Sequence, residues 1–290
     1  MLWFALRKFA AFVAIVLVTL WLIHALLAAA GGQQLGGFFG WLGHALIGDF
    51  GVAAADGQAI GGLVAARLAV TVPLALLAML LAAIIGAGIG YLAARRPGRM
   101  LDHALTALAE IGGATPNFWL GMALVAIFAT GLHWLPTGGF VPWQRNIGGA
   151  LLSLLLPALA VALPVAAPLA LKVRDAVATA RVAPYVLAAE ARGVAAEHSF
   201  RREALPAAAL VVLAWAVPQA ATAIVGTIIV ENVFYLPGLG RLILDAVGAR
   251  DPALVAGALA VLTLLTAGAT FLMQLGARWA DPRRRGSGAP

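Results

Sequence analysis

Six stretches of the 290-residue chain each run for more than 20 residues without one Asp, Glu, Lys or Arg: Ala10 to Ala30, Leu68 to Ala94, Ile111 to Leu132, Gly149 to Leu171, Ala204 to Val230 and Pro252 to Ala277. A helix needs roughly 20 apolar residues to cross a hydrocarbon core of about 30 Å. Lipid offers no hydrogen-bond partner, so the backbone of each crossing must be satisfied within its own helix. The pattern therefore predicts an all-α integral membrane protein with about six transmembrane helices, each sitting inside the limits of its apolar block. Composition agrees: 63% of residues are apolar and 11% charged, against about 25% charged in soluble domains.

The formal charge of +7 does not point to nucleic acid, because the basic residues flank apolar blocks and form no continuous polar face. The N-terminus, residues 95–110, residues 172–203 and the C-terminal tail hold 15 of the 19 Lys and Arg, and only Arg67, Arg145, Arg241 and Arg250 lie on the other side. By the positive-inside rule both termini are expected in the cytoplasm, as an even number of crossings requires. Arg7 and Lys8 before the first block, and Ala28-Ala29-Ala30 at its end, have the flavour of a signal peptide. The apolar run exceeds an ordinary h-region of about 7–15 residues, so an uncleaved first span is expected.

Two spans carry unusual residues. Gly86, Gly88 and Gly90 in the second allow close helix packing, or are lipid-facing and of no consequence; the residues alone leave both readings open. Pro157, Pro164 and Pro168 share one face of the fourth, each removing a backbone hydrogen bond.

Much chemistry is missing. The chain has no cysteine, and His24, His44, His103, His133 and His198 are scattered without metal-binding spacing. No metal site, no cofactor and no catalytic residue is expected. The only lysines, Lys8 and Lys172, lack the P-loop context, so an ATP motor would have to be a separate subunit. Ionisable groups that could drive a secondary carrier reduce to His24 and Glu110, and His24 is read as a neutral histidine packed against a neighbouring helix. Ser153 has no evident base, so an intramembrane hydrolase is not expected.

The loop between the fourth and fifth spans is the most informative segment. Pro184 can start a short helix containing Ala188 and Ala189, and Gly193 can end it in a left-handed cap. A second short helix is expected from Val194 to about Glu203, including Phe200, Arg201 and Arg202, before Leu205-Pro206 turns the chain into the fifth span. An ordinary solvated connector would satisfy topology alone, but the alanine-rich helical segments favour a docking element.

Leu187-Ala188-Ala189, three residues, Gly193, nine residues, then Glu203-Ala204-Leu205-Pro206 resembles in spacing the signature loop of permease subunits of ATP-binding-cassette importers. Leu187 stands for the family's Glu and Glu203 for its Ile. The string from Tyr185 through Glu190, Ala191 and Arg192 to Gly193 is similar to the dipeptide, oligopeptide and nickel branch. So are Gly48-Asp49-Phe50-Gly51, Pro116-Asn117-Phe118-Trp119-Leu120-Gly121, Glu231-Asn232-Val233-Phe234, Pro237-Gly238-Leu239-Gly240-Arg241 and Asp281-Pro282-Arg283. The branch usually has an Arg-Leu-x-Pro-Gly-Asp-Pro-like stretch after the first span, whereas Ala28 to Gly37 is rich in Ala, Gly and Gln.

The resemblance implies a type I importer (MetI-like) permease fold in a bacterial inner membrane. Residues 1–67 would be the first span and first periplasmic loop. Residues 68–277 would be the transmembrane core with a cytoplasmic coupling loop at 172–206, and 278–290 a basic tail. It further implies that Tyr185, Ala188, Ala189, Glu190, Ala191, Arg192, Gly193, Leu205 and Pro206 dock on a cytoplasmic ATPase. A second, similar permease, an extracytoplasmic binding protein and a peptide or nickel substrate follow from the same likeness. Thr115, Asn117, Gln219 and Thr222 are candidates for the translocation path, with helix-to-helix hydrogen bonding as the equally available reading. For Glu231 the plain alternative is a solvated carboxylate and for Pro237-Gly238 a turn, and no mechanism is attached to either. Arg283 to Arg285 suggest an anchor on anionic membrane lipid. The competing reading is a channel or secondary carrier that works without ATP.

Overall fold

The computed structural model describes residues 2–29, 37–55, 57–95, 97–195, 198, 202 and 205–280. Ten helices account for most of them: α1 Leu2–Ala29, α2 Phe38–Leu46, α3 Ile60–Ala94, α4 Met100–Ala114, α5 Asn117–Leu124, α6 Ile147–Arg181, α7 Pro184–Ala191, α8 Leu205–Val233, α9 Leu239–Gly248 and α10 Pro252–Ala280. Beyond α5 the chain continues in wider π-type turns over Val125–Gly131. Five helices are long and apolar enough to span a bilayer, and α4 with α5 and its π turns supplies a sixth as a bent pair.

That bent pair corrects the expectation of one continuous third span. The two helices meet at 110°. The cause is Pro116: its ring disfavours the helical region for the residue before it, and Thr115 accordingly takes φ −88°, ψ 129°. Other helices outrun their apolar blocks. α3 begins at Ile60, and α6 continues ten residues past Leu171, carrying Lys172, Arg174, Asp175 and Arg181 on a helix where a loop was expected. Charge sets where the membrane ends, while helix length is set by caps and by packing.

α6 is the axis of the bundle. It stays helical through its three prolines and packs on α3, α4, α5 and α8. Its contact with α3 is backbone-close at Gly86 and Gly90, where an added Cβ would strike the carbonyl oxygens of Ala166 and Ala170. Gly88 faces open space. The ambiguity over these glycines is thereby resolved by helical phase: the pair four apart faces α6 and the one between does not.

α1 lies outside this core against α10, with Phe12 and Phe271 stacked at 5.3 Å between ring centres. His24 is buried beside Phe38 and Trp41 of α2, as the packed-histidine reading expects. The GDFG string closes the loop between α2 and α3. Gly48 and Gly51 take φ of 80° and 84°, and Phe50 is buried against Gly257 of α10. Asp49 accepts the N–H of Gly51 at 3.0 Å and pairs with His44 at 2.9 Å, which together hold its carboxyl below the usual range.

Candidate coupling elbow and translocation seam

Two residues past the end of α6 the chain turns into α7, whose eight residues begin at Pro184. The N–H groups of Val186 and Leu187 bond back to the carbonyl of Ala183 at 2.9 and 3.1 Å, so the turn and the helix form one hydrogen-bonded unit. Val186 is buried and anchors the elbow, whereas Leu187, Ala188, Ala191, Arg192 and Val194 are exposed and Ala189 is half-buried. The helix ends as expected. Gly193 has φ 85°, and Val194 donates to the carbonyl of Ala189 at 3.1 Å, the six-to-one bond of a Schellman cap.

An added Cβ at Gly193 would meet none of the described residues within 4 Å. Glycine is needed here for its backbone angle and not for crowding by the described residues. Tyr185 and Glu190 lie on the backbone of α7, and Leu205 and Pro206 open α8. Most of the expected second short helix, including Phe200 and Arg201, falls outside the described residues, as does the tail from Asp281 onward with Arg283 to Arg285.

Directly behind the elbow, α6 is tied to its neighbours. Arg174 donates from Nε to Oδ1 of Asp102 at 2.6 Å and from a terminal guanidinium nitrogen to Oδ2 at 2.7 Å. Asp102 is 1% exposed and also accepts the N–H of Gly98 at 2.9 Å, so both of its oxygens are used. As the third residue of α4, this carboxylate also sits favourably at the positive end of the helix dipole. Arg174 reaches Asp175 at 2.9 Å, and Arg181 reaches the carbonyl of Arg95, at the end of α3, at 3.4 Å.

The four candidate path residues fall at the bend and along one face of α8. Thr115 returns its hydroxyl to the carbonyl of Ile111 at 2.6 Å, and Thr222 to that of Pro218 at 3.5 Å. Asn117, the first residue of α5, lies against Gly226 of α8, where an added Cβ would come within 2.9 Å of its side-chain nitrogen. Gln219, Thr222 and Gly226 are spaced three and four apart and share a face of α8, of which Gly226 meets Asn117 and opens the α5–α8 seam. Thr115 stands at the bend above it. Gly121, one turn on from Asn117, packs on the ring of Phe234 and keeps the seam tight.

The opposite end of α8 contains what the residues alone did not reveal. Glu231 is fully buried. It accepts from the hydroxyl of Thr71 at 2.6 Å and from the N–H groups of Gly240 and Arg241 at 2.7 and 3.3 Å. The same threonine hydroxyl accepts the N–H of Leu239 at 2.8 Å. Together, Glu231 and Thr71 thus satisfy the first three N–H groups of α9, where a negative charge is favoured. Gly238 and Gly240 are glycines because a Cβ at either would run into the Glu231 carboxylate or the backbone of Ile228. The string from Glu231 to Arg241 is therefore an internal joint and not a solvated loop. Asp251 repeats the device at the next helix, accepting from Leu254 at 3.0 Å and from Ala54 at 2.6 Å. Among the described residues, no group of three or more His, Cys, Asp or Glu comes together.

Comparison with known proteins accords with this architecture. A chain of the MetNI methionine ABC transporter, solved in inward-facing conformations, superposes with a TM-score of 0.61 over 76% of this chain and 96% of its own, at 17% identity, and so shares the fold. The probable peptide ABC transporter permease protein y4tP of Sinorhizobium fredii is 31% identical over 248 residues, which cover 86% of this chain and 79% of that protein. The oligopeptide transport system permease protein OppB of Escherichia coli is 33% identical over 219 residues, covering 75% of this chain and 70% of its own length. Residues 86–286 match the family described as the binding-protein-dependent transport system inner membrane component, and the chain belongs to that family, as a multi-pass permease of ATP-binding-cassette importers.

Proposed function

We propose that this permease forms part of a path for small peptides and is driven by a separate cytoplasmic ATPase seated on α7. The observation that carries the reading is the elbow: a short, mostly exposed helix at the end of the bundle's axial helix, closed by a left-handed glycine that no described residue crowds. A short capped helix moves as a rigid body, so a partner that grips it moves α6 as well. Peptide as the substrate class comes from the names of the relatives, y4tP and OppB. The path is proposed at Asn117 and along the α8 face that carries Gln219 and Thr222, facing a second permease subunit, with Thr115 at the bend before it. An extracytoplasmic binding protein would deliver substrate to the far end, and both termini would then be cytoplasmic.

Gly193→Trp tests the reading. The variant should insert and accumulate, because none of the described residues crowds the position and the strain of its left-handed backbone is confined to the exposed end of α7. It should lose ATP-driven uptake of a labelled tripeptide pool while the ATPase still turns over. Normal uptake by Gly193→Trp would contradict the proposal.

A further inference from the structure

We propose that Asp102 and Arg174 are positioning residues for transport, carrying movement of the elbow through α4 to the bend at Pro116 and so to the seam at Asn117. This inference rests on the coupling role of α7 proposed above.

The buried part of the remaining α4–α6 contact is built from small residues, with Leu171 at its edge. Ala109 packs on Ala167 and Ala170, and a Cβ added at Gly113 would come within 3.0 Å of that of Ala167. Such a surface is smooth and gives α6 little purchase on α4. The forked pair supplies the grip: two parallel hydrogen bonds fix both distance and orientation, which a lysine's single ammonium would not.

Position completes the argument. Arg174 lies seven residues before the C-terminal end of α6, on the stretch that leads directly into α7. Asp102 lies in the first turn of α4, with the N–H of Gly98 holding its other side. α4 then runs to Thr115 and Pro116, where the chain turns by 110° into the helix that begins with Asn117. A push on α7 is thus delivered to the start of α4, and the α4–α5 bend redirects it to the α5–α8 seam.

The test uses the complete transporter in lipid vesicles, with spin labels on cysteines replacing Leu76 of α3 and Trp119 of α5, both exposed. The chain has no cysteine of its own. The distance between the labels should change between the nucleotide-free and the vanadate-trapped states. In Arg174→Gln and in Asp102→Asn that change should shrink by more than half, and peptide uptake per ATP hydrolysed should fall about tenfold, within the usual range of coupling energies.

Arg174→Lys, which keeps the charge but not the fork, should fall between parent and Arg174→Gln, and it serves as the measured variant if the others fail to assemble. An unchanged distance shift and unchanged uptake per ATP in these variants would overturn the proposal. Gly193→Trp run in parallel separates the two ideas. If it stays coupled, the elbow reading falls and takes this one with it; if it uncouples while the pair variants do not, only the role of the pair is lost.

Discussion

The Glu231 joint and the α7 elbow look alike as strings of residues, each a short motif with a glycine and a nearby acid, yet the protein treats them in opposite ways. At the joint the carboxylate and the helix N–H groups turn inward. Glu231, Thr71 and the N–H groups of Leu239, Gly240 and Arg241 satisfy one another, and the glycines are there because neighbours leave no room for a Cβ. At the elbow the contacts turn outward. Gly193 is crowded by none of the described residues, and Leu187, Ala188 and Val194 are exposed. A glycine enforced by crowding marks a part that this chain completes by itself. A glycine enforced only by backbone angle, on an exposed helix end, marks a surface left open.

The contrast predicts which substitutions should damage stability and which should damage only transport. The largest stability effect should come from Glu231→Ala, which leaves a buried hydroxyl and two helix N–H groups without an acceptor. A loss of about 3–5 kcal/mol is expected, as for other broken buried networks. Thermal unfolding in detergent should show it, and Glu231→Gln should recover part of the loss. A stable Glu231→Ala protein would mean that the joint is not closed as described.

Next comes Gly90→Leu, whose side chain would be driven into α6 at Ala170 and Val173, with an expected loss of about 1–3 kcal/mol from overpacking. Gly88→Leu, two residues away on the open side, is the matched control and should leave the unfolding temperature unchanged. Equal effects at the two positions would refute the assigned helical phase.

Smaller again is Gly193→Ala. Its cost should be confined to the left-handed backbone, about 1–2 kcal/mol, and hydrogen exchange should register it as earlier fraying of α7 rather than as global unfolding. The smallest stability effect belongs to Leu187→Gln on the exposed face of the elbow. It should stay within about 0.5 kcal/mol of the parent while weakening retention of the ATPase on co-purification. Undiminished retention would show that this face is not where the partner sits.

How much of this was legible follows from the range of the interactions involved. The six crossings could be read because hydropathy is a property of each segment alone. The cap at Gly193 could be read because its bond closes within six residues. The break at Thr115-Pro116 was locally encoded by Pro116, but apolar residues on both sides masked it inside one block.

The role of Glu231 was out of reach, because its partner Thr71 lies 160 residues away and nothing in the local string distinguishes a solvated carboxylate from a buried cap. The Asp102–Arg174 pair, 72 residues apart, was hidden for the same reason. Asn117 was picked out for its polarity in an apolar block, but its meeting with Gly226 depends on how α5 and α8 pack.

Site-directed crosslinking in intact cells tests the central claim most directly, with single cysteines placed from Ala189 to Val194 and, for comparison, at Tyr235 beside the joint. Cysteines on the elbow should capture a nucleotide-hydrolysing protein, and the one at Tyr235 should not. Failure of every elbow position to capture such a partner, with the protein inserted and abundant, would contradict the account.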